Sequence, residues 1–184
     1  MKQINNKKKG FTLIEILLVV GFIALASVGI YTIYSKVQVG SQANTESRNL
    51  DTIRAGVKTL YASKNNFATV TNTVVNAARI TPDNMKTSVA STDGSITNAF
   101  GGEVTVLPVS LGSGTNNGFE ITYNAVPGPV CAKLLTGGGG QFDRVTVGGT
   151  VVKAFGSDSV DEAASSVACN SAPSDGIQMQ FATL

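Results

Sequence analysis

The chain has 184 residues, of which 42% are hydrophobic and 14% charged, and its formal net charge is +2. Four N-terminal lysines account for the positive sign, because the residues after Gly10 carry ten basic and twelve acidic side chains. The body of the chain therefore lacks the basic surface that nucleic-acid binding requires. The absence of histidine excludes histidine general bases, histidine metal ligands and Ser-His-Asp triads, and so disfavours a secreted or membrane-anchored enzyme.

The N-terminus joins a basic flank to a long apolar run. Lysines at positions 7–9 and Gly10 precede residues 11–34, which are apolar apart from one acid, Glu15, and a few small polar residues. About 20 apolar residues are enough to span a bilayer, and lysines beside such a span stay on the cytoplasmic side. A carboxylate in a membrane span costs about 2.5–3.5 kcal/mol on insertion scales. Glu15 therefore requires either a partner or a path to the membrane interface.

Helical periodicity continues past the apolar run. Apolar residues at spacings of three, four or seven predict one buried helix face, with polar residues on the other faces. The predicted buried face consists of Val39, Ala43, Leu50, Ile53, Val57 and Leu60, and the predicted polar positions include Gln42, Asn49, Asp51, Arg54 and Lys58. We expect one helix over residues 12–63. It belongs to two successive segments of the chain, an apolar segment (11–34) and an amphipathic segment (35–66), each of which contains about half of the helix.

Residues 67–184 are predicted to form a globular α+β domain. A short helix is expected over residues 71–80, where Thr81-Pro82-Asp83 ends it. The apolar period then shifts to two, which is typical of strands, over residues 103–107, 119–123, 145–147, 151–153 and 177–181. Gly148-Gly149-Thr150 predicts a hairpin between the third and fourth of these. The pattern favours an antiparallel sheet against which the amphipathic half of the long helix packs.

Two further short helices and two cysteines lie in the same domain. A short helix or a turn is expected over residues 130–135, and Ser159 with Glu162 forms a capping box that would start another helix running to Cys169. Cys131 and Cys169 are the only cysteines. An even pair beyond a membrane segment predicts one disulfide in an oxidising compartment, with two buried free thiols as the alternative.

Two export signals compete for the N-terminus. In one interpretation, residues 13–23 form a signal-peptide core and Ala24-Leu25-Ala26 is the cleavage site, so that a secreted domain starts at Ser27. Glu15 within the core and the continuation of the apolar run past Ile30 both count against it.

In the other interpretation, Gly10-Phe11-Thr12-Leu13-Ile14-Glu15 is similar to the cleavage motif of type IV prepilins. The shared features are a short basic leader, glycine before the cut, phenylalanine after it, and glutamate at the fifth mature position. The resemblance implies that a prepilin peptidase removes residues 1–10 by cutting between Gly10 and Phe11, and N-methylates Phe11.

Segments of the globular domain resemble type IVb pilins, the group that contains the PilS-like and toxin-coregulated pilins. They are residues 98–106, the strand 119–123 leading to Cys131, and the helix that ends at Cys169 before a final strand. The ten-residue leader and Phe11 are more typical of type IVa pilins. The resemblance implies the pilin fold, with a long N-terminal helix on a C-terminal antiparallel sheet. It also implies a major structural subunit without cofactor or enzymatic activity, which assembles into a pilus for adhesion, aggregation or mating contact.

The resemblance also implies partners and a location. The partners are other copies of the chain in a helical filament, the prepilin peptidase, an inner-membrane assembly platform with its ATPase, and an outer-membrane secretin. The subunit would wait in the inner membrane of a Gram-negative bacterium and then enter an extracellular pilus. A minor pilin or a type II secretion pseudopilin shares the same N-terminus and is the alternative.

Cleavage would give Glu15 a chemical role. The new α-amine of Phe11 lies one helical turn before Glu15, so the carboxylate can neutralise it within one chain or pair with the amine of an incoming neighbour. A buried unpaired charge costs several kcal/mol, so this pair would set the register between helices. A carboxylate that reaches the membrane interface is the alternative.

Two other patterns are weak. The glycines at 137–140 lack the Gly-Lys-Ser/Thr ending of a phosphate loop and predict a flexible surface loop. Asp158, Asp161 and Glu162 could hold Ca²⁺, as in major pseudopilins of type II secretion, but helix capping explains these acids equally well. No metal site is therefore predicted.

Overall fold

The computed structural model describes residues 11–64, 66–86 and 94–184. The predicted leader, including Gly10, lies outside these residues. The chain forms two compact units, one ending at Gln38 and one comprising Val39–Leu184, called the head below. Helix α1 spans Leu13–Tyr61 and crosses the boundary between them. It is one residue shorter at its start and two residues shorter at its end than the sequence predicts.

The head part of α1 buries most of the predicted apolar face. Ala43, Leu50, Ile53 and Val57 are buried, as expected. Leu60 was assigned wrongly, since 38% of it is exposed, and Tyr61 is buried in the core instead.

Asn49 was also assigned wrongly, because it is buried rather than at the surface. Its side-chain Nδ2 donates to Oε2 of Glu46 at 3.3 Å, and Glu46 is itself fully buried. The buried face of α1 therefore includes a polar pair that the apolar spacing did not reveal.

A five-stranded antiparallel sheet forms the centre of the head. The strands are β1 (Val104–Val109), β2 (Gly118–Val126), β3 (Arg144–Val147), β4 (Thr150–Lys153) and β5 (Ile177–Thr183). Their order in the sheet is β1-β2-β5-β3-β4. The C-terminal strand β5 is therefore central, with an antiparallel partner on each side.

The two faces of the sheet differ in polarity. Ile121 pairs with Val106 on one side and Phe181 on the other, and all three belong to the buried core that includes the head part of α1. On the opposite face Arg144 and Glu120 form an ion pair at 3.0 Å. This alternation is what a sheet with one buried face requires.

The outer edge of β1 is closed by a side chain. Asn72 begins helix α2 (Asn72–Ala77). Its amide donates to the Val104 carbonyl at 2.8 Å and accepts from the Val106 N–H at 2.6 Å. Asn72 thus pairs with the edge as a neighbouring strand would, which protects it from edge-to-edge association.

Helices α3 (Gly128–Gly137) and α4 (Glu162–Asn170) complete the head, with 3₁₀ turns at Asp83–Met85 and Gly139–Gln141. The predicted capping box at the start of α4 was wrong. The N-cap is Asp161, whose Oδ1 accepts from the Ala164 N–H at 2.9 Å. Ser159 is not the cap: it lies in a bend before α4, and the Asp161 N–H donates to the Val152 carbonyl at 2.7 Å, which holds Asp161 beside β4 at the start of the helix.

The glycines at 137–140 do not form the flexible surface loop that was predicted. Gly137 ends α3, Gly139 starts a 3₁₀ turn, and Gly138 and Gly139 are buried. A Cβ on Gly138 would lie 3.2 Å from Oγ of Ser47 on α1. These glycines allow α3 and α1 to approach each other closely.

We expect Gly102→Ala to destabilise the head. A Cβ at this position would overlap the backbone carbonyl of Asn124, which cannot move without disturbing β2. Overpacking of this kind costs about 1–3 kcal/mol, measurable as a lower thermal midpoint by circular dichroism. Gly140→Ala is the matched control, because its Cβ would meet nothing within 4 Å. Equal midpoints for the two variants would contradict the predicted clash.

Candidate functional site

The N-terminal unit exposes an apolar helix surface. The segment Leu13–Tyr31 has a mean hydropathy of 2.6, and none of it is buried. It is the one helix among the described residues that is long and apolar enough to cross a membrane. Exposed apolar area is unfavourable in water by about 25 cal/mol per Å², so this surface requires lipid or other helices around it.

Phe11 and Glu15 lie together at the start of this helix. Both border a shallow apolar cleft of about 260 Å³, whose other lining residues are Ile16, Val19 and Val20. Phe11 is 80% exposed and Glu15 is also exposed. The two residues predicted to act in assembly are thus both accessible at the start of the helix. Gly10, which forms the predicted processing site together with Phe11, lies outside the described residues.

Glu15 also belongs to the helix N-terminus, which the sequence analysis missed. Its backbone N–H donates to the Thr12 carbonyl at 3.1 Å and approaches Thr12 Oγ1 at 3.4 Å. A threonine followed three residues later by glutamate is the signature of a capping box, and an acid in the first turn is favoured by the helix dipole. Glu15 therefore has a local structural use in addition to its predicted role in assembly.

A disulfide joins α3 to α4. Cys131 and Cys169 are bonded, their Cα atoms are 5.7 Å apart, and both are buried. This confirms the predicted pair. Among the described residues there is no free cysteine.

A groove of about 1300 Å³ lies beside the disulfide. Its walls come from α3, α4, the loop that follows α4, and a turn at residues 98–102. Apolar groups in the lining include Phe100, Leu135, Val160 and Ala172, and the acids in the lining are Asp158, Glu162 and Asp175. Among the described residues, no lysine or arginine lines the groove, so its charged side chains are all acidic.

Two of the three acids near α4 have structural positions in that helix. Asp161 caps the helix, and Glu162 lies in its first turn, where a negative charge is favourable. Among the residues that the structure describes, no group of three or more potential metal-binding side chains comes together.

A buried carboxylate links α1 to the groove. Oε1 of Glu46 accepts a hydrogen bond from the Ala99 N–H at 2.8 Å, in the 98–102 turn. The Tyr123 hydroxyl, on β2, donates to Met85 Sδ at 3.9 Å, and Glu46 lies near enough to influence its pKa.

Tyr123 is expected to make the free energy of unfolding fall as the pH becomes alkaline. Burial, followed by the charge of Glu46 and its hydrogen bond, raises the pKa of the Tyr123 hydroxyl well above its ordinary value. The unfolded phenol ionises above about pH 10 while the folded one stays neutral. The stability contributed by this hydroxyl is therefore present below about pH 10 and is lost as pH rises further.

We expect Tyr123→Phe to remove this contribution. Above about pH 10 the free energy of unfolding of the unmodified chain should fall more steeply than that of the variant, by up to about 1.4 kcal/mol per pH unit. Denaturant titrations of both proteins at several alkaline pH values measure the difference. The lysines, which also titrate in this range, are present in both proteins, so their contribution to the slope cancels in the comparison. Parallel slopes for the two proteins would contradict the expectation.

Comparison with known proteins identifies the family. The family model described as PilS N terminal matches residues 40–181, which is most of the head. The chain belongs to the PilS family of type IV pilins. The recognition made from the N-terminal motif and the 98–106 segment is thereby confirmed.

Curated relatives of this PilS-family pilin are pilus subunits. The major structural subunit of bundle-forming pilus from Escherichia coli O127:H6 is 27% identical over 174 residues, which cover 91% of this chain and 87% of the relative. The toxin coregulated pilin of Vibrio cholerae serotype O1 is 23% identical over 159 residues, covering 80% of this chain and 66% of the relative.

Solved structures share the fold. The type IVb pilin from Salmonella typhi has a TM-score of 0.58 at 22% identity, covering 75% of this chain and 97% of that one. TcpA, a type IV pilin from Vibrio cholerae El Tor biotype, also has a TM-score of 0.58, at 16% identity, covering 78% of this chain and 99% of that one. The predicted α+β pilin fold is confirmed.

Sequence reasoning missed Glu46, although a signal was present. Position 46 lies three residues after Ala43 and four before Leu50, so the helical spacing places it on the buried face of α1. An acid at a position that must be buried needs hydrogen-bond donors around it. The residues that supply them are distant in sequence, and only the folded chain identifies them.

Proposed function

We propose that this PilS-family pilin is a major structural subunit of a surface pilus and that its activity is non-covalent self-assembly. The observation that carries the proposal is the unburied apolar surface of Leu13–Tyr31 on a chain with a pilin head. A bilayer can cover such a surface before assembly, and the same segments of neighbouring subunits can cover it within a filament. The curated relatives, named as subunits of bundle-forming and toxin-coregulated pili, support this assignment.

We propose the following course of maturation. The chain inserts into the inner membrane of a Gram-negative bacterium with its lysine-rich leader in the cytoplasm. A prepilin peptidase cuts between Gly10 and Phe11 and methylates the new Phe11 amine. An inner-membrane assembly platform with its ATPase then adds the subunit to a filament that leaves through an outer-membrane secretin.

Glu15 and Phe11 have the central role in this proposal. In the membrane the carboxylate of Glu15 neutralises the Phe11 amine of the same chain. On joining the filament it pairs with the amine of a neighbouring subunit. Both residues are exposed at the start of the apolar helix, so among the described residues of one chain nothing blocks such an intermolecular pair. The head remains outside the helix core and provides the surface for adhesion, aggregation or mating contact.

Mass spectrometry of filaments sheared from cells tests the proposal. We expect the dominant subunit to begin with N-methylated Phe11 and to carry the intact Cys131–Cys169 disulfide. A subunit that begins at Ser27 would indicate signal-peptide cleavage, and one that retains Met1 would rule out processing. Either result would overturn the proposed maturation. A dominant subunit other than this chain would assign it to a minor, filament-priming role.

A further inference from the structure

The groove beside the disulfide joins apolar walls to carboxylates at both ends of α4. Glu162 lies in the first turn of that helix, and Asp158 precedes it in the chain. Asp175 lies in the loop that follows the helix. All three side chains line the groove and are exposed. A ligand in the groove therefore meets negative charge at either end of α4.

These three carboxylates have no basic partner among the described residues. The ion pairs found there, Asp83–Lys86 and Glu120–Arg144, lie outside the groove lining. Asp161 differs from its acidic neighbours, since its side chain accepts from the Ala164 N–H as the cap of α4. A cation that enters the groove thus finds charges to pair with and has no internal cation to displace.

The walls between the acids are uncharged. Phe100, Val160 and Ala172 are partly buried side chains that pack against the core of the head. Between its first turn and its last residue, α4 contributes only Ser165, Ser166 and Cys169 to the lining. Apolar surface of this kind favours methylene groups over water, because it is removed from solvent when they bind.

The helix ends that border the groove also favour a cation over an anion. Residues 169–170, at the end of α4, line the groove, and a helix C-terminus carries partial negative charge. The N-terminus of α3 would attract an anion, but Pro129 in its first turn has no N–H. The N–H groups of Val130 and Cys131 both donate to the Pro127 carbonyl, at 2.9 Å. Little therefore remains at this helix end to bind an anion.

The length of α4 sets the separation of the two acidic ends. From Glu162 to Asn170 the helix rises about 12 Å. An extended aliphatic chain of about eight carbons with an ammonium group at each end has a comparable length.

We propose that the groove binds flexible aliphatic dications, the chemical class of the polyamines. One ammonium group pairs with Asp158 and Glu162, the methylene chain lies against the apolar walls, and the second ammonium group pairs with Asp175. Because the three acids are exposed, both ammonium groups keep contact with water, and binding avoids the cost of burying an isolated charge. This inference concerns the head alone and does not depend on the proposed role in pilus assembly.

Nuclear magnetic resonance of the full chain in micelles of an uncharged detergent tests the proposal. The probes are diaminooctane, octanediol and octanedioate, which share one chain length and differ in terminal charge. We expect diaminooctane to shift the amide resonances of Ser166 and Gly176 saturably, with a Kd of about 1 mM or lower. The diol and the dicarboxylate should bind at least about tenfold more weakly, because neither can pair with the acids. Equal binding of the diol, or no saturable shift with diaminooctane, would overturn the proposal.

Diaminopropane separates the groove from general attraction between a cation and an acidic surface. It carries the same two charges on a shorter chain, so it cannot reach both ends of α4 and has fewer methylene groups to bury. We expect it to bind at least about fivefold more weakly than diaminooctane. Equal affinities for the two diamines would contradict a site that spans α4.

Variants at each end of the groove complete the test. Glu162→Gln and Asp175→Asn should each weaken diaminooctane binding about two- to fivefold, and together by about the product of the two. Glu103→Gln removes an exposed carboxylate that does not line the groove, so it is the matched control and should leave the Kd unchanged. The proposal fails if the groove variants bind diaminooctane as tightly as the control. Should a groove variant not fold, the comparison of the four probes on the unmodified chain still decides.

Discussion

Glu15→Val is expected to abolish filament formation while leaving removal of residues 1–10 intact. In the proposed filament the Phe11 amine of each subunit is buried among apolar helices, and Glu15 supplies its counter-charge. Without that partner an uncompensated buried charge costs about 3–5 kcal/mol, so the yield of filaments should fall by more than about a hundredfold. The measurements are the amount of sheared filament and the N-terminal sequence of the subunit that remains in the membrane.

Three further variants distinguish charge pairing from helix capping. Glu15→Gln keeps the size of the side chain and its position in the capping box but removes the charge, so it should assemble as poorly as Glu15→Val. Glu15→Asp keeps the charge and should retain part of the assembly. Thr12→Ala removes the hydroxyl that lies 3.4 Å from the Glu15 N–H and should assemble nearly normally. Normal filaments from Glu15→Gln, or their loss in Thr12→Ala, would show that capping rather than charge explains Glu15.

Replacing both Cys131 and Cys169 with serine is expected to produce the largest loss of head stability. The disulfide spans 38 residues of sequence, and closing a loop of that length lowers the entropy of the unfolded chain by an amount worth about 4 kcal/mol. It also fixes α3 to α4, which form two walls of the groove. Thermal unfolding of the full chain in micelles, followed by circular dichroism, measures the effect.

Reduction of the unmodified chain provides the control for this variant. A reducing agent should lower its unfolding midpoint to about that of the double serine variant and should leave the variant itself unchanged. If the double serine variant forms no filaments although its subunit is present in the membrane at the normal level, the disulfide is required for assembly or export. An unfolding midpoint equal to that of the oxidised unmodified chain would contradict the stability role.

The elements of the fold were largely predictable because their signals are local. The apolar run and the helical spacing after it predicted α1 to within two residues at each end. Period-two alternation at residues 119–123 and 177–181 found the cores of β2 and β5, and the Gly148-Gly149-Thr150 signal placed the β3–β4 hairpin. Each of these patterns lies within one continuous stretch of chain, so no knowledge of distant partners was needed.

The errors arose where a distant partner decides the local conformation. Ser159 has the sequence of an N-cap, but the bond from the Asp161 N–H to Val152 moves the start of α4 to Glu162. The glycines near 138 have the composition of a flexible loop, yet they pack against Ser47 on α1. Asn49 was assigned to the surface because its buried partner, Glu46, was not recognised.

The sequence by itself determined that this chain joins a lysine-flanked apolar helix to an α+β head with one cysteine pair, and the prepilin-like motif at Gly10-Phe11 indicated its family. The order of residues along the chain and the local spacing of apolar residues are sufficient for these conclusions. Only the tertiary structure decided that β5 is the central strand, that Asn72 closes the β1 edge, and that Glu46 holds the turn carrying Phe100. Each of these depends on contacts between residues far apart in sequence, such as Glu46 and Ala99, and such contacts are selected by the packing of the whole head.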